Sequence, residues 1–234
     1  MDKLQRYKPT DKMIDLIGDN YSLLQVMSRF GLSLGFGDKT VKEVCEMNNV
    51  DCQTFLVVVN FMAEGFSRMD GSADDISIPA LVDYLRQAHI YFLDYCLPAI
   101  RRKLIEAIDC SQDDVSFLIL KFFDGYMREV RKHMEYEEKT VFKYVDTLIH
   151  GNAPKNYQIS TFSKHHDQVG ERLTELKNII IKYCPAKANT NVLNAALFDI
   201  YACEEGLESH CKVEDYLFVP AILKLERRMR ENEK

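Results

Sequence analysis

No apolar run in this sequence is long enough to cross a membrane. The longest extends from Phe55 to Val59, with Phe61 and Met62 after it, whereas a membrane-spanning helix needs about 20 apolar residues. The first residues, MDKLQRYKPTDK, also lack the apolar core of a signal peptide. We therefore expect a cytoplasmic protein that has no membrane partner.

Dense positive charge is also missing. The 30 lysines and arginines are outnumbered by 36 aspartates and glutamates, which gives a formal net charge of -6, and the most basic stretch is the short segment 226–230. Proteins that bind nucleic acids present a basic patch or stripe to the phosphates. Nucleic acid is therefore not an expected partner.

The cysteines lack the spacing of a disulfide framework or of a zinc site. There are seven, an odd number, and no two of them form a C-x-x-C pair. Scattered thiols of this kind are typical of reduced cysteines in helices, and we assign none of them as a metal ligand. They are Cys45, Cys52, Cys96, Cys110, Cys184, Cys203 and Cys211.

Strand patterns are absent, and the apolar periodicity is helical. Short helices are predicted at 11–18, 21–31, 39–47 and 52–65, followed by a solvated segment rich in glycine, serine and aspartate. Long amphipathic helices are predicted at 79–108 with a bend at Pro98, at 113–149, at 157–183 and at 191–230. We predict an all-α protein with a small helical domain at 1–66, a linker at 67–78 and an up-down-up-down four-helix bundle at 79–234.

Two histidines of the long helices are each followed four residues later by a glutamate. His133 precedes Glu137 in HMEYEEKTVF, and His210 precedes Glu214 in HCKVEDYLFVP. Residues four apart lie on the same side of a helix, and both pairs fall on the apolar stripe of their helix. These polar pairs are therefore predicted to point into the core.

The other two long helices each carry one histidine on their apolar stripe, His89 and His166. The separation from each of them to the next His-x3-Glu pair is the same, because 133 minus 89 and 210 minus 166 both give 44. Two such halves packed face to face would bring four imidazoles and two carboxylates together. Burying so many polar groups without a shared partner is costly, and a pair of metal ions uses them all.

Several metals are compatible with this ligand set. Imidazole suits iron, zinc, copper and nickel, and carboxylates can bridge two hard cations. We predict a dinuclear centre with two iron ions as the first choice, each bound by two histidines and bridged by Glu137 and Glu214. Positions would remain for an oxo or hydroxo bridge and a small exogenous ligand. No catalytic residue is predicted apart from this centre, and a metal-free helical scaffold is the remaining alternative.

The other histidines and nearby acidic residues are assigned different roles. His165 faces about 100° away from its neighbour His166 on a helix, and His150 lies at the end of a predicted helix, so both are assigned to solvent or to capping. The acidic residues assigned to solvated faces or to contacts with the ligands are Glu135, Glu138, Asp167 and Asp215.

The ligand pattern resembles the hemerythrin-like superfamily, and the overall layout is similar to its family for repair of iron centres, the RIC family. The resemblance covers almost the whole chain and rests on His89, on HMEYEEKTVF, on HHDQVGERL with His166 and on HCKVEDYLFVP. Oxygen-carrying hemerythrins use five histidines, so four histidines with two glutamates are similar to the repair group instead. The resemblance implies a hemerythrin-like bundle that holds an oxo- or hydroxo-bridged di-iron centre.

The N-terminal part departs from the RIC pattern where that family has a pair of cysteines. In that family a segment of the kind G-I-D-F-C-C-G-G precedes a helix, whereas this chain has GLSLGFGDKTVKEVC, with Gly35 and Phe36 in place of the cysteine pair. Iron, sulfur or redox exchange by such a pair cannot occur here in the same way.

The resemblance implies a protein of the nitrosative or oxidative stress response that repairs iron-sulfur clusters, by donating iron or by O2 and NO chemistry at the di-iron site. Its expected partners are O2, NO and iron-sulfur proteins. The alternative is a di-iron O2 or NO sensor that signals to a partner protein. An oxidase or peroxidase of the rubrerythrin or ferritin type is disfavoured, because those sites use Glu-x-x-His ligands.

The apolar run FLVVVNFM of the N-terminal domain also needs a partner. It can be buried against its own short helices, against the bundle or against a second chain, because an uncovered apolar patch usually marks an interaction surface. A homodimer through the N-terminal domain is thus one of three arrangements that the sequence leaves open.

Overall fold

The computed structural model describes residues 6–64, 76–108, 114–152, 157–164, 169–185 and 188–232. Within these ranges the chain is helical, and the one β-type contact is a single antiparallel bridge between Lys12 and Thr40. The predicted all-α class with a hemerythrin-like helical bundle is confirmed. No helix in the described ranges is long and apolar enough to cross a membrane.

The chain divides into two compact units. One comprises residues 1–88 together with 212–234, and the other comprises 89–211. Both divisions fall inside continuous helical runs. The predicted domains at 1–66 and 79–234 stay a prediction.

Four short helices open the first unit. They are α1 (Met13–Asp19), α2 (Leu23–Arg29), α3 (Val41–Met47) and α4 (Cys52–Glu64), each beginning within about two residues of its predicted start. Helix α3 begins at a capping box, in which the Thr40 side chain accepts from the Glu43 backbone N–H and the Glu43 carboxylate accepts from the Thr40 backbone N–H. This reciprocal pairing satisfies two of the backbone donors that a helix start leaves unpaired.

The apolar run of α4 is buried within its own unit. Phe55 packs edge-on against Phe30 of α2, with ring centroids 5.4 Å apart, and Phe61 lies 6.1 Å from the ring of Tyr216 near the other end of the chain. Asn60 joins α4 to the N-terminal segment, because it accepts from the Tyr7 backbone N–H and donates to the Tyr7 carbonyl. The apolar run is therefore buried by the short helices and by the C-terminal segment.

The predicted long helices are present but are not continuous α-helices. Three of the four contain a π-helical segment, in which the backbone bonds span five residues instead of four. The first run is α5 (Ile78–Ile90), π1 (Tyr91–Cys96) and α6 (Leu97–Ala107); the second is α7 (Asp114–Tyr136), π2 (Glu137–Val141) and α8 (Phe142–Ile149). The third has a 3₁₀ segment (Ile159–Lys164) and α9 (Val169–Tyr183), and the fourth is α10 (Thr190–Val213), π3 (Glu214–Phe218) and α11 (Val219–Asn232).

The first run changes helix type directly before Pro98, and the bend predicted at that residue stays a prediction. Pro98 lies in the first turn of α6, where its missing N–H is tolerated. The preceding turn is π1, which ends with the Leu97 N–H bonded to the Phe92 carbonyl. The irregular backbone hydrogen bonding of this run thus lies in the turn before Pro98.

Within the second unit, the first and fourth runs are antiparallel. The Asn189 N–H donates to the Ala107 carbonyl at 2.8 Å, and the Lys103 ammonium lies 2.6 Å from the Asp199 carboxylate. At the opposite end of this unit, the rings of His89 and His210 meet, so the early part of the first run faces the late part of α10. Helix α7 packs against both α6 and α9, as expected for a bundle of successive antiparallel helices.

Candidate metal centre

The carboxylate of Glu137 stands between two imidazoles. Glu137 is the first residue of π2 and is completely buried. Its Oε1 lies 2.8 Å from Nε2 of His133, one turn earlier in the same run, and its Oε2 lies 3.0 Å from Nε2 of His89. The structure therefore brings together three of the predicted ligands from two helical runs.

His210 of α10 completes the group in this unit. It is 1% exposed, and its ring centroid lies 5.1 Å from that of His89 in an edge-on arrangement. One potential ligand atom from each of His89, Glu137 and His210 lies within 4.8 Å of the others. Such a cluster of imidazole and carboxylate donors is compact enough to share a cation.

The second predicted carboxylate, Glu214, occupies the equivalent place in the fourth run. It is completely buried, it follows His210 by four residues, and it is the first residue of π3. Because α10 continues directly into π3, Glu214 lies about one turn beyond His210 on the same side of the helix.

The two His-x3-Glu pairs share more than their spacing. The offsets from His133 to His210 and from Glu137 to Glu214 are both 77 residues (210 minus 133 and 214 minus 137), and both glutamates open a five-residue π-helical segment. In each segment the glutamate carbonyl accepts from the N–H five residues later. Single π-helical turns inside α-helices are frequent at functional sites, so the duplication extends to the backbone.

A further carboxylate orients His89. Oε1 of Glu138 lies 3.0 Å from Nδ1 of His89, and the Glu138 side chain is 36% exposed. Two consecutive glutamates thus contact the two ring nitrogens of His89, with Glu137 at Nε2 and Glu138 at Nδ1. A ligand histidine is usually held in this way, because a carboxylate that accepts from one ring N–H leaves the other nitrogen for the metal.

The charge of this site favours a cation. Burial disfavours the charged form of His89, but its hydrogen bonds to Glu137 and Glu138 outweigh that effect, so the pKa of His89 lies above its ordinary value. The carboxylates therefore create a place for positive charge inside an otherwise apolar core.

Aromatic rings form the walls of the site. The Phe142 ring stacks on His89 at 5.5 Å with an interplanar angle of 11°, and Phe92 lies 6.1 Å from His210. Both phenylalanines are buried. They restrict the rotation of the imidazoles and keep water away from the carboxylates, which strengthens the interactions of these groups with a cation.

The residues present fit a metal with mixed nitrogen and oxygen ligands. A buried carboxylate is costly unless it is paired or coordinates a metal, and Glu137 and Glu214 are both fully buried. Imidazole and carboxylate together suit iron and other first-row transition metals. The donor set thus explains why ionisable groups stand where the rest of each stripe is apolar.

The remaining predicted positions divide into three cases. His166 lies outside the described residues, as do His165 and Asp167. His150 is exposed and its Nδ1 lies 2.8 Å from the Asp146 carbonyl at the end of α8, in agreement with its assigned capping role. Glu135 is solvated and bonds to Lys139.

Comparison with known families agrees with the ligand pattern. Residues 80–222 match the hemerythrin HHE cation binding domain, a span that contains all six predicted ligands. No curated protein matches the chain. With more than half of its length matched, and with buried histidine and glutamate donors brought together inside that span, this chain belongs to the hemerythrin HHE cation-binding family.

Proposed function

We propose that this chain is a non-haem di-iron protein. The observation that carries the proposal is the fully buried Glu137 carboxylate, contacted at each oxygen by an imidazole. The equivalent pair, His210 and Glu214, supports a second metal position, since Glu214 also begins a five-residue π-helical segment, 77 residues after Glu137. The proposed ligands are His89, His133, Glu137, His166, His210 and Glu214.

The protein residues around the iron have separable tasks. Glu138 fixes the ring orientation of His89, Glu137 offers one oxygen toward each of two histidines, and Phe142 and Phe92 exclude water. Bound iron would supply the ability to bind or reduce O2, NO or peroxide at positions that the side chains leave open.

For the biological role, we propose repair of damaged iron-sulfur clusters during nitrosative or oxidative stress. Support comes from the similarity of the four-histidine, two-glutamate pattern to the RIC family. Imidazole and carboxylate ligands hold iron less tightly than the thiolates of a cluster would, so an ion held at this site can be donated. Clients would then be iron-sulfur proteins, and O2 or NO the small ligands.

A specific feature of the N-terminal loop favours a second function, sensing of O2 or NO. Phe36 is buried where the RIC pattern has a cysteine, and Gly35 and Gly37 flank it with φ of 88° and 64°. These positive φ values suit glycine. The loop thus holds a buried aromatic ring instead of a reactive thiol pair. A sensor that signals to a partner protein does not need such a pair.

The metal content tests the di-iron proposal. Protein purified without oxygen should contain about two iron ions per chain, as expected for two His-x3-Glu half-sites. Its visible spectrum should change on exposure to O2 and to NO. One zinc ion per chain, or no metal after growth with sufficient iron, would remove the proposal.

A cluster-repair assay separates the two roles. The iron-loaded protein is added to an iron-sulfur enzyme whose cluster has been damaged, and recovery of that enzyme's activity is followed. Recovery that depends on loaded iron supports repair. Absence of recovery, in protein whose spectrum still responds to NO or O2, supports the sensor.

A further inference from the structure

Two buried cysteines meet in the layer next to the proposed metal site. In the second unit, the antiparallel first and fourth runs are joined at the His89 and His210 rings and again at the Lys103–Asp199 ion pair. Cys96 lies seven residues after His89, and Cys203 lies seven residues before His210. Because the two runs are antiparallel, equal steps from facing residues reach the same level, which places Cys96 opposite Cys203 between those two contacts.

The two thiols are in hydrogen-bonding contact. The bond to Cys96, followed by burial, raises the pKa of Cys203 well above its ordinary value. Cys203 is 2% exposed, and Cys96 is also buried. Burial therefore shields both sulfurs from large thiol reagents in solvent.

A buried tyrosine adds a polar group at this level. Tyr126 lies seven residues before His133 and is completely buried. Its hydroxyl oxygen has no hydrogen-bond partner among the described residues. Burial raises the pKa of Tyr126, with smaller contributions from neighbours that include Cys203 and Cys96. A buried hydroxyl is rarely left without a hydrogen bond, so Tyr126 can donate one to a small polar molecule that enters this layer.

The cysteine layer is within short reach of the proposed ligands. Seven residues of helix correspond to about 10 Å along the axis, and each of Cys96, Tyr126 and Cys203 is separated by seven residues from a proposed ligand histidine. No residue of this layer belongs to the ligand set. It is a neighbouring site of different chemistry in the same core.

We propose that Cys96 and Cys203 form a redox-active dithiol that reduces peroxide arriving at the buried metal site. The two S–H bonds and the peroxide O–O bond break, one S–S bond forms, and the two hydrogens leave in two molecules of water. The thiols lose two electrons and hydrogen peroxide gains them, so the step is balanced. The proposal rests on the proposed di-iron centre, which directs the oxidant to this pair.

The chain contains a second thiol pair that serves as an internal control. Cys45 and Cys52 of the first unit are also hydrogen-bonded to each other. Cys52 is more exposed than either Cys96 or Cys203, and neither control cysteine lies near a proposed ligand in the sequence. An oxidant that acts from solvent should therefore reach Cys45–Cys52 first.

The test compares iron-loaded and metal-free protein after treatment with hydrogen peroxide, with iron content measured on the same samples. Non-reduced peptides are mapped by mass spectrometry. A Cys96–Cys203 linkage is expected in the iron-loaded protein and should be lost in the metal-free protein. Iron-loaded protein that forms only the Cys45–Cys52 linkage, or none, overturns the inference while the metal centre stands. Equal Cys96–Cys203 linkage without iron also overturns it, and absence of bound iron overturns both proposals.

Single substitutions complete the test. Cys96→Ser should abolish the linkage while the iron content stays unchanged, and Cys203→Ser provides the same test if the first variant folds poorly. Cys52→Ser, the matched control, should leave the Cys96–Cys203 linkage intact. Loss of iron in Cys96→Ser would show that this cysteine is needed for metal binding, which contradicts its role as a reductant beside the centre.

Discussion

Glu138 gives the sharpest test of how the site is held. We predict that Glu138→Gln weakens iron binding without removing any ligand. The carboxylate lies 3.0 Å from Nδ1 of His89, on the side of the ring opposite to Nε2, which faces Glu137. Glutamine keeps an oxygen that can accept from the Nδ1–H, but it loses the negative charge that stabilises the ring in this tautomer.

The size of the effect follows from the exposure of the side chain. Loss of a partner that orients a ligand typically costs about 10–100-fold in metal affinity. Because Glu138 is 36% exposed, water competes for its charge, and glutamine retains part of the contact. We therefore expect Glu138→Gln to weaken binding about tenfold, or about 1.4 kcal/mol, and Glu138→Ala to fall toward the upper end of the range.

A chelator competition measured without oxygen supplies the affinities, and Glu135→Gln is the matched control. Glu135 lies three residues earlier and carries the same charge, but it bonds to Lys139 at the surface. Its loss should change iron affinity little. Equal weakening by both variants would attribute the effect to long-range charge and refute the orienting contact. The thermal stability of metal-free Glu138→Gln should match that of wild type, which separates orientation of a ligand from a structural role.

Three further predictions concern ligands, metal and fold. His210→Ala should lose iron and have a lower melting temperature in the iron-loaded preparation, whereas exposed His150 should tolerate alanine in both respects; equal damage by the two variants would contradict the ligand assignment. Removal of iron by a chelator should lower the free energy of unfolding, by about 2.7 kcal/mol if iron had been present at 100 times its Kd, and iron should restore it; an unchanged value would contradict binding to the folded state. Thr40→Ala should cost about 1 kcal/mol in urea unfolding through loss of the α3 cap with iron content unchanged, and an unchanged unfolding midpoint would show that the cap contributes nothing.

Helix positions were predictable from the sequence because apolar spacing and helix-ending residues are local signals. The start of α4 was predicted at its observed residue, and the outer ends of the long runs agree within about two residues. The convergence on Glu137 was also predictable in part, since a histidine and a glutamate one turn apart on an apolar stripe are costly to bury without a shared partner. His89 was identified by equal spacing, and its contact with Glu137 follows from packing of the first run against the second.

The π-helical segments could not be predicted from the same signals. A π-helical turn inserts one residue into a helix, and the resulting change of phase resembles ordinary scatter in an apolar stripe. The contact of Glu138 with His89 was one of two roles that the sequence left open. On a regular helix Glu138 points about 100° away from Glu137, and periodicity alone leaves it between a solvated position and a contact with a ligand. Its contact with His89 depends on the packing of two helices that are distant in sequence, and a local sequence pattern gives no information on that packing.

The placement of these irregular turns connects the fold to the proposed chemistry. A continuous α-helix would give each backbone carbonyl its partner four residues later, whereas the carbonyls of Glu137 and Glu214 bond five residues later. Both irregular turns thus begin at the residue that brings a buried negative charge into the core. A buried carboxylate inside an apolar core is unfavourable by itself, and a bound cation would offset that cost. Two of the proposed metal ligands are therefore also the residues at which the helices become irregular.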